Sequence, residues 1–302
     1  MCIIAFALGT EASLPLLVVA NRDERRSRPT ASATVWSLNN GTRVLAGRDL
    51  IDGGTWMGCA DNGRVAMLTN IRPEKAQAET APKSRGALCA DWLAGGPVAD
   101  WLQGHRGVDY GGCNLVLGDL KSSEWLFLRN RPEGDRDDPD NNLAPRGDGW
   151  FYRVLAPGLY VLSNATLDTA WPKSVRLRAA VTAAMLRDGR SFAVPPSDAA
   201  QRELRAALRD SSRHPVEAAA GDRGPYDVAA LSALSSCFVD WPEHDYGTRS
   251  STLMWANADE TTRGVGHVTL REWTYGQHGE DQPTSGEPIQ LRMAHAPINA
   301  AG

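Results

Sequence analysis

The stretch that decides the fold is a pair of apolar runs at the N-terminus, MCIIAFAL (residues 1–8) and LLVVANRDE (residues 16–24). Both runs are rich in aliphatic and β-branched residues, and the polar break at residues 9–13 contains turn-forming residues. The stretch therefore predicts a hairpin of two buried strands. The second run ends in four polar residues, Asn21 to Glu24. Because buried polar groups need hydrogen-bonding partners, we expect a functional site at this strand end.

Cys2 is the candidate nucleophile. Removal of the initiator Met1, which is usual when the second residue is small, would give Cys2 a free α-amine beside its thiol. An α-amine has an ordinary pKa of about 7.7 to 8.0 and can accept the thiol proton near neutral pH. Cys2 would then carry its own base, and the Asp23 carboxylate could orient that amine. The alternative is that Cys2 is a small buried strand residue.

Length and composition indicate a single globular domain spanning residues 1–302. The chain has 42% hydrophobic and 23% charged residues, and no shift in composition marks a linker. Its 32 basic and 36 acidic residues are interleaved and give a net charge of −4, so the sequence lacks the basic surface that nucleic acid binding requires. No apolar run is long enough to predict a transmembrane segment.

The five cysteines favour a reducing compartment. They are odd in number, widely spaced and include no C-x-x-C pair, which argues against a disulfide framework and against a zinc site.

An acidic run at residues 135–140 has the outline of a calcium loop but lacks its glycine and its final glutamate, so we expect a solvated loop there. We predict a cytoplasmic protein with no metal site.

The order of the predicted elements favours an α+β fold. Strand patterns open the chain, return in its middle and close it, whereas helical patterns form two clusters. After the hairpin, strands are predicted at residues 43–46, 55–60, 63–70, 114–119, 125–129, 158–164, 248–255, 266–274 and 288–293. Helices are predicted at residues 84–93, 98–102 and 197–208 and from residue 172 onward, and residues 211–246 are assigned mostly to loop. Such grouping is typical of layered sheets and helices rather than alternating βαβ units.

Three further polar residues stand at strand ends. Asn70 and Asn164 each follow a buried run, and their side-chain amides could stabilise an oxyanion. Arg249 precedes a core strand and could bind a substrate carboxylate or support a thiolate. The alternatives are a turn or cap for each asparagine and a surface ion pair for Arg249.

The motifs of the chain resemble those of the Asn-Arg-Asp-Glu (NRDE) family, that of the transport and Golgi organization protein 2 homologs. The resemblance covers nearly the whole chain in the same order. It rests on MCII (1–4), ANRDE (20–24), SRP (27–29), GGTWMG (53–58), LTN (68–70), LSNA (162–165), WPK (171–173) and YGTR (246–249). More distantly, the layout resembles N-terminal-nucleophile hydrolases of the penicillin V acylase and bile-salt hydrolase group. That resemblance implies a four-layer αββα sandwich.

The same resemblance implies roles for individual residues. Cys2 would be nucleophile and base, Asp23 would orient it, and Asn70 and Asn164 would form the oxyanion region. The family motifs further imply binding roles, which fall to Asn21, Arg22, Glu24 and Trp56.

In one respect the chain departs from these hydrolases. They carry an arginine three residues before the aspartate, where this chain has Ala20. Strand alternation predicts Arg22 on the face opposite Asp23, so the sequence leaves support of the thiolate to Arg249 or unassigned.

Two functions from different classes follow. The first is an amidohydrolase that cleaves an N-acyl C–N bond with Cys2 and requires no cofactor. The second is a non-enzymatic protein that binds and moves haem or acyl-CoA on the same fold. The chain has no C-x-x-C-H motif, so covalent haem attachment is not expected, whereas reversible binding of haem is compatible with the sequence.

The hydrolase hypothesis predicts that the mature protein lacks Met1, because both roles of Cys2 require its free amine. The intact mass of purified, folded protein should be that of residues 2–302. Retention of Met1 in all of the folded material would contradict the hypothesis at its first step.

Overall fold

The computed structural model describes residues 2–11, 14–72, 82–132, 143–187, 196–214, 226–259, 264–276, 279–282 and 286–294. In chain order the strands are β1 (Ile3–Glu11), β2 (Leu14–Arg25), β3 (Thr30–Ser37), β4 (Arg43–Asp49), β5 (Met57–Ala60), β6 (Arg64–Asn70), β7 (Cys113–Asp119), β8 (Glu124–Arg129), β9 (Ala144–Pro145), β10 (Phe151–Val154), β11 (Gly158–Leu162), β12 (Asp240–Trp241), β13 (Tyr246–Asp259), β14 (Gly264–Thr274) and β15 (Pro288–Arg292). The α-helices are α1 (Arg85–Leu93), α2 (Val98–Gly104), α3 (Pro172–Arg187), α4 (Asp198–Leu208) and α5 (Val228–Ala233).

The strands form two antiparallel sheets in the described part of the chain. The first sheet has the order β11-β1-β2-β13-β14-β15, with β12 paired to β13. The second sheet has the order β3-β4-β5-β6-β7-β8-β10-β9. The N-terminal hairpin lies in the interior of the first sheet, between β11 and β13, so neither of its strands has an exposed edge.

Three apolar clusters show how the sheets and helices stack. One cluster lies between the two sheets and includes Phe6 and Val18. A second joins the outer face of the first sheet to α3 and α4, and a third joins the outer face of the second sheet to α1 and α2. Helix, sheet, sheet and helix therefore form four layers, which confirms the predicted αββα architecture.

The hairpin contributes to two of these clusters because its side chains alternate between the faces of the sheet. Leu16 and Val18 point into the cluster between the sheets, whereas Leu17 and Val19 point toward α3 and α4. A strand buried on both faces must be apolar at nearly every position, as the sequence of β2 is.

Most of the predicted elements are present with small differences at their ends. The Asn62-Gly63 turn is confirmed between β5 and β6, where Gly63 has a φ of 97° that an L-residue rarely adopts. The strands β3 and β10 were not predicted, because both are only partly buried and alternate weakly. The assignment of residues 211–246 mostly to loop missed α5 and β12, and residues 135–140 lie outside the described ranges.

Within the described ranges, no helix combines the length and the apolar character needed to cross a membrane.

Candidate functional site

Cys2 lies at the end of the hairpin in the first sheet, directly before β1. It is half-buried, whereas Cys59, Cys89, Cys113 and Cys237 are buried, and all five are free thiols. The Ser163 hydroxyl donates a hydrogen bond of 2.9 Å to the Cys2 carbonyl, which fixes the backbone of the residue. Burial raises the pKa of the Cys2 thiol above its ordinary value, so a base is needed to form the thiolate near neutral pH.

The strand register identifies the neighbours of Cys2. In the β1–β2 pair Ile3 lies opposite Asn21, and in the β1–β11 pair Ile4 lies opposite Leu162. Continuing the first pairing by one residue and the second by two places Cys2 between Arg22 and Asn164. Residues opposite one another on adjacent strands point to the same face, so the sulfur and these two side chains face the second sheet.

Asp23 points to the helix-facing side of β2 and is held by Thr248. The Thr248 hydroxyl accepts a hydrogen bond from the Val239 N–H at 2.8 Å and donates to Asp23 Oδ1 at 2.7 Å. The Asp23 carbonyl accepts from the Tyr246 hydroxyl at 2.7 Å and lies 4.0 Å from Cys2 Sγ. Burial raises the pKa of the Asp23 carboxyl, while the charge of Lys173 is the strongest influence in the opposite direction.

Lys173 is a fully buried lysine on this same side. Its exposed fraction is 0%, and its Nζ makes no hydrogen bond to the described residues. Burial lowers the pKa of the Lys173 amine, and the charge of Asp23 is the main influence that raises it. The residue is the second of α3, where the helix dipole disfavours a cation. Lys173 and Asp23 therefore form a coupled pair of buried titratable groups.

Arg22 and Trp56 form the opposite wall of the site, between the sheets. The Arg22 guanidinium stacks 4.2 Å from the centre of the Trp56 ring and is 6% exposed. Its Nη2 lies 3.9 Å from the carboxylates of Glu24 and Asp49, and its Nη1 is buried without a hydrogen-bond partner in the described ranges. Any side chain at Gly47 would overlap the Trp56 ring, so this glycine makes room for the stack.

A small pocket connects these residues, and Cys2, Arg22, Trp56, Met57, Leu68 and Thr252 are among those that line it. Its volume of about 10 Å³ is close to what one water molecule requires. The pocket can hold a water or the carbonyl of a bound group, whereas a haem or an acyl chain needs neighbouring side chains to move.

The two asparagines proposed for an oxyanion region meet across the sheets. Asn164 is buried, and its Nδ2 donates to the Asn70 backbone carbonyl at 2.7 Å, while its Oδ1 lies 3.2 Å from the Ser163 hydroxyl. Asn70 is half-buried at the end of β6, and its side chain makes no hydrogen bond within the described part of the chain. Asn164 thus positions Asn70, and the Asn70 amide stays available as a donor.

The structure places Arg249 elsewhere. Arg249 is the extra residue of a bulge in β13, because Thr248 pairs with Asp23 and Ser250 pairs with Arg22. Its Nη1 donates to the carbonyls of Arg25 and Arg28 at 2.9 and 3.0 Å. These contacts hold the turn that follows β2, and they do not bring Arg249 to Cys2.

Asn21 has a structural position. Its Nδ2 donates to the carbonyls of Leu208 and Cys237, each at 2.8 Å, and its Oδ1 accepts from the Ser251 hydroxyl at 2.6 Å. It joins β2 to the end of α4, and its amide is fully used.

Sequence reasoning missed Thr248 and Lys173, although both lie in the motifs YGTR and WPK. A signal was present for Lys173, since a lysine in the first turn of a helix opposes the helix dipole and needs another reason to be there. For Thr248 the signal was its position in the YGTR motif, directly before Arg249.

We predict that Lys173 and Asp23 are coupled energetically. Lys173→Met should lower the free energy of unfolding by about 3 kcal/mol, because it leaves a buried carboxylate without its countercharge. The double variant with Asp23→Asn should lose less than the sum of the single variants, by about 1 to 3 kcal/mol. Urea denaturation measures all four proteins, and the exposed Lys121→Met is a matched control expected within about 0.5 kcal/mol of wild type. Strict additivity would contradict the coupling.

Comparison with solved structures gives two distant similarities. A variant of conjugated bile acid hydrolase from Clostridium perfringens has 11% sequence identity and a TM-score of 0.44, covering 99% of this chain and 100% of that chain. A Caenorhabditis elegans ortholog of N-acylethanolamine-hydrolyzing acid amidase has 11% identity and a TM-score of 0.41, covering 69% of this chain and 86% of that chain.

Sequence comparison gives full-length relatives. The chain is 33% identical over 291 residues to the Transport and Golgi organization protein 2 homolog of Bos taurus, and 31% identical over 288 residues to that of Homo sapiens. Each match covers 90% of this chain and 92% of the relative. Residues 1–277 match the sequence profile described as Transport and Golgi organisation 2, and the chain therefore belongs to that family.

Proposed function

We propose that the protein is an amidohydrolase that cleaves an N-acyl C–N bond with Cys2 as nucleophile after removal of Met1. The observation that carries the proposal is the position of Cys2. It is half-buried, its carbonyl is held by Ser163, and its sulfur lies 4.0 Å from the backbone carbonyl of Asp23, whose carboxylate is buried and held by Thr248.

The first step is proton transfer within Cys2. The free α-amine accepts the thiol proton, and the thiolate attacks the acyl carbon. Asp23 is suited to hold the resulting ammonium, because Thr248 fixes one of its oxygens and Lys173 favours its ionised form. The ammonium then gives its proton to the leaving amine as the C–N bond breaks, and a thioester remains on Cys2.

The second step is hydrolysis of that thioester by water. The negative charge on the acyl oxygen needs donors in both steps. Asn70 is the candidate donor, since its amide is available and Asn164 holds its carbonyl. The pocket beside Cys2 has space for one water. A cytoplasmic location remains a prediction from the sequence.

The test compares turnover with ligand retention. A panel of N-acyl amides and acyl-CoA is incubated with wild type, Cys2→Ala and Asp23→Asn, and amine release and acylation of Cys2 are followed by mass spectrometry. Asp23→Asn should lower kcat by about 10²- to 10⁴-fold with little change in substrate affinity, because orientation of the base acts on the chemical step.

Cys89→Ala is the matched control. It removes a buried thiol on α1 and should leave kcat unchanged. If wild type without Met1 gives neither turnover nor an acyl adduct, while haem or acyl-CoA binding persists in Cys2→Ala, the hydrolase is excluded and the binding protein is supported.

A further inference from the structure

The site contains a buried cation on the same side of the sheet as the Cys2 sulfur. The register of β1 and β2 places Cys2 opposite Arg22, and both residues line the same small pocket. The side chains of opposite residues start from Cβ atoms about 4.5 to 5.5 Å apart. Arg22 is therefore a direct cross-strand neighbour of the thiol.

Arg22 has donor capacity that its present contacts do not use. Its two carboxylate neighbours lie 3.9 Å away, which is beyond hydrogen-bonding distance. Its Nη1 is buried without a hydrogen-bond partner among the described residues. An unpaired donor on a buried charged group is costly, and its location beside a nucleophile indicates a functional reason.

We infer that Arg22 stabilises the Cys2 thiolate, and that Trp56 holds its guanidinium in place by stacking. The inference rests on the proposed function for its part in turnover. The sequence left stabilisation of the Cys2 thiolate to Arg249 or unassigned, and the inference assigns it to Arg22. Arg22 lies two residues along the strand from Ala20.

Two other cations, Arg249 and Lys173, are less suited to this role. Arg249 donates to the carbonyls of Arg25 and Arg28. Lys173 belongs to α3, on the helix-facing side of the sheet, and its charge acts chiefly on Asp23. Among these cations, only Arg22 shares a pocket with Cys2 in the described part of the chain.

The charge of Arg22 also acts in the required direction. Burial is the main influence on the pKa of the Cys2 thiol and raises it, whereas the charge of the N-terminal ammonium lowers it and that of Arg22 lowers it by a smaller amount. A nearby positive charge favours the ionised form of a thiol, so loss of Arg22 should raise the pH at which the thiolate forms.

The experiment measures the alkylation rate of Cys2 by iodoacetamide from pH 5 to pH 10, read as the labelled N-terminal peptide by mass spectrometry. Only the thiolate reacts, so the midpoint reports its formation without requiring turnover. Arg22→Met keeps the apolar contact with Trp56 and is the main variant, and Arg22→Gln is the second. Each should raise the midpoint by about one pH unit or more, and Arg22→Lys should raise it less.

Arg249→Gln is the matched control, because it removes an arginine of the same region and should leave the midpoint unchanged. An unchanged midpoint in Arg22→Met or Arg22→Gln, or an equal shift in Arg249→Gln, would overturn the inference. Failure of both uncharged variants to fold would also overturn it in favour of a structural role. A shift in a protein that hydrolyses no amide would retain the inference about the thiolate and reject the proposed function.

Discussion

The two-residue period of β2 is the constraint on which the site depends. The strand is buried on both faces, and residues 16–20 alternate between two apolar clusters. When the sequence turns polar after Ala20, the period continues and sends Arg22 between the sheets and Asp23 toward the helices. The tetrad of residues 21–24 thus supplies charges to both faces of the sheet, and Cys2 shares the face of Arg22.

The two faces of the first sheet stabilise their buried charges in different ways. On the helix side a carboxylate and an amine are buried together, and the Thr248 hydroxyl satisfies one carboxylate oxygen. Between the sheets Arg22 relies on the face of Trp56, which attracts a cation without accepting a conventional hydrogen bond. Apolar residues of similar volume would often be at least as stable in such positions. These buried charges are therefore compatible with the proposed catalytic role, whereas stability of the fold alone does not require them.

The sequence was sufficient for the layers and for the neighbourhood of Cys2. Alternation and turn residues predicted the hairpin, and polar strand ends predicted Asn70 and Asn164, which the structure brings together. It was insufficient where a side chain contradicts its local pattern. Lys173 sits in an amphipathic helix where lysine is ordinarily exposed, and its burial follows only from the packing of α3 on the first sheet.

A single extra residue explains the position of Arg249. Without the bulge in β13, Arg249 would pair with Arg22 and share its face; with it, Ser250 takes that place. Bulges of this kind redirect side chains next to functional sites, and no pattern in the sequence of β13 marks one here.

The same strand geometry bears on the absence of an arginine at position 20, where this chain has Ala20. Two residues along a strand span about 6.6 to 6.8 Å and return to the same face, a distance that an extended arginine side chain can cover. Both Ala20 and Arg22 line the pocket of Cys2, so the small side chain at position 20 leaves space into which the longer one at position 22 can reach. A charge can therefore serve one point in a site from either of two positions on a strand. If Arg22 supports the thiolate as proposed, the site requires a certain face and reach of the cation, and an alignment of motifs position by position does not record either of them.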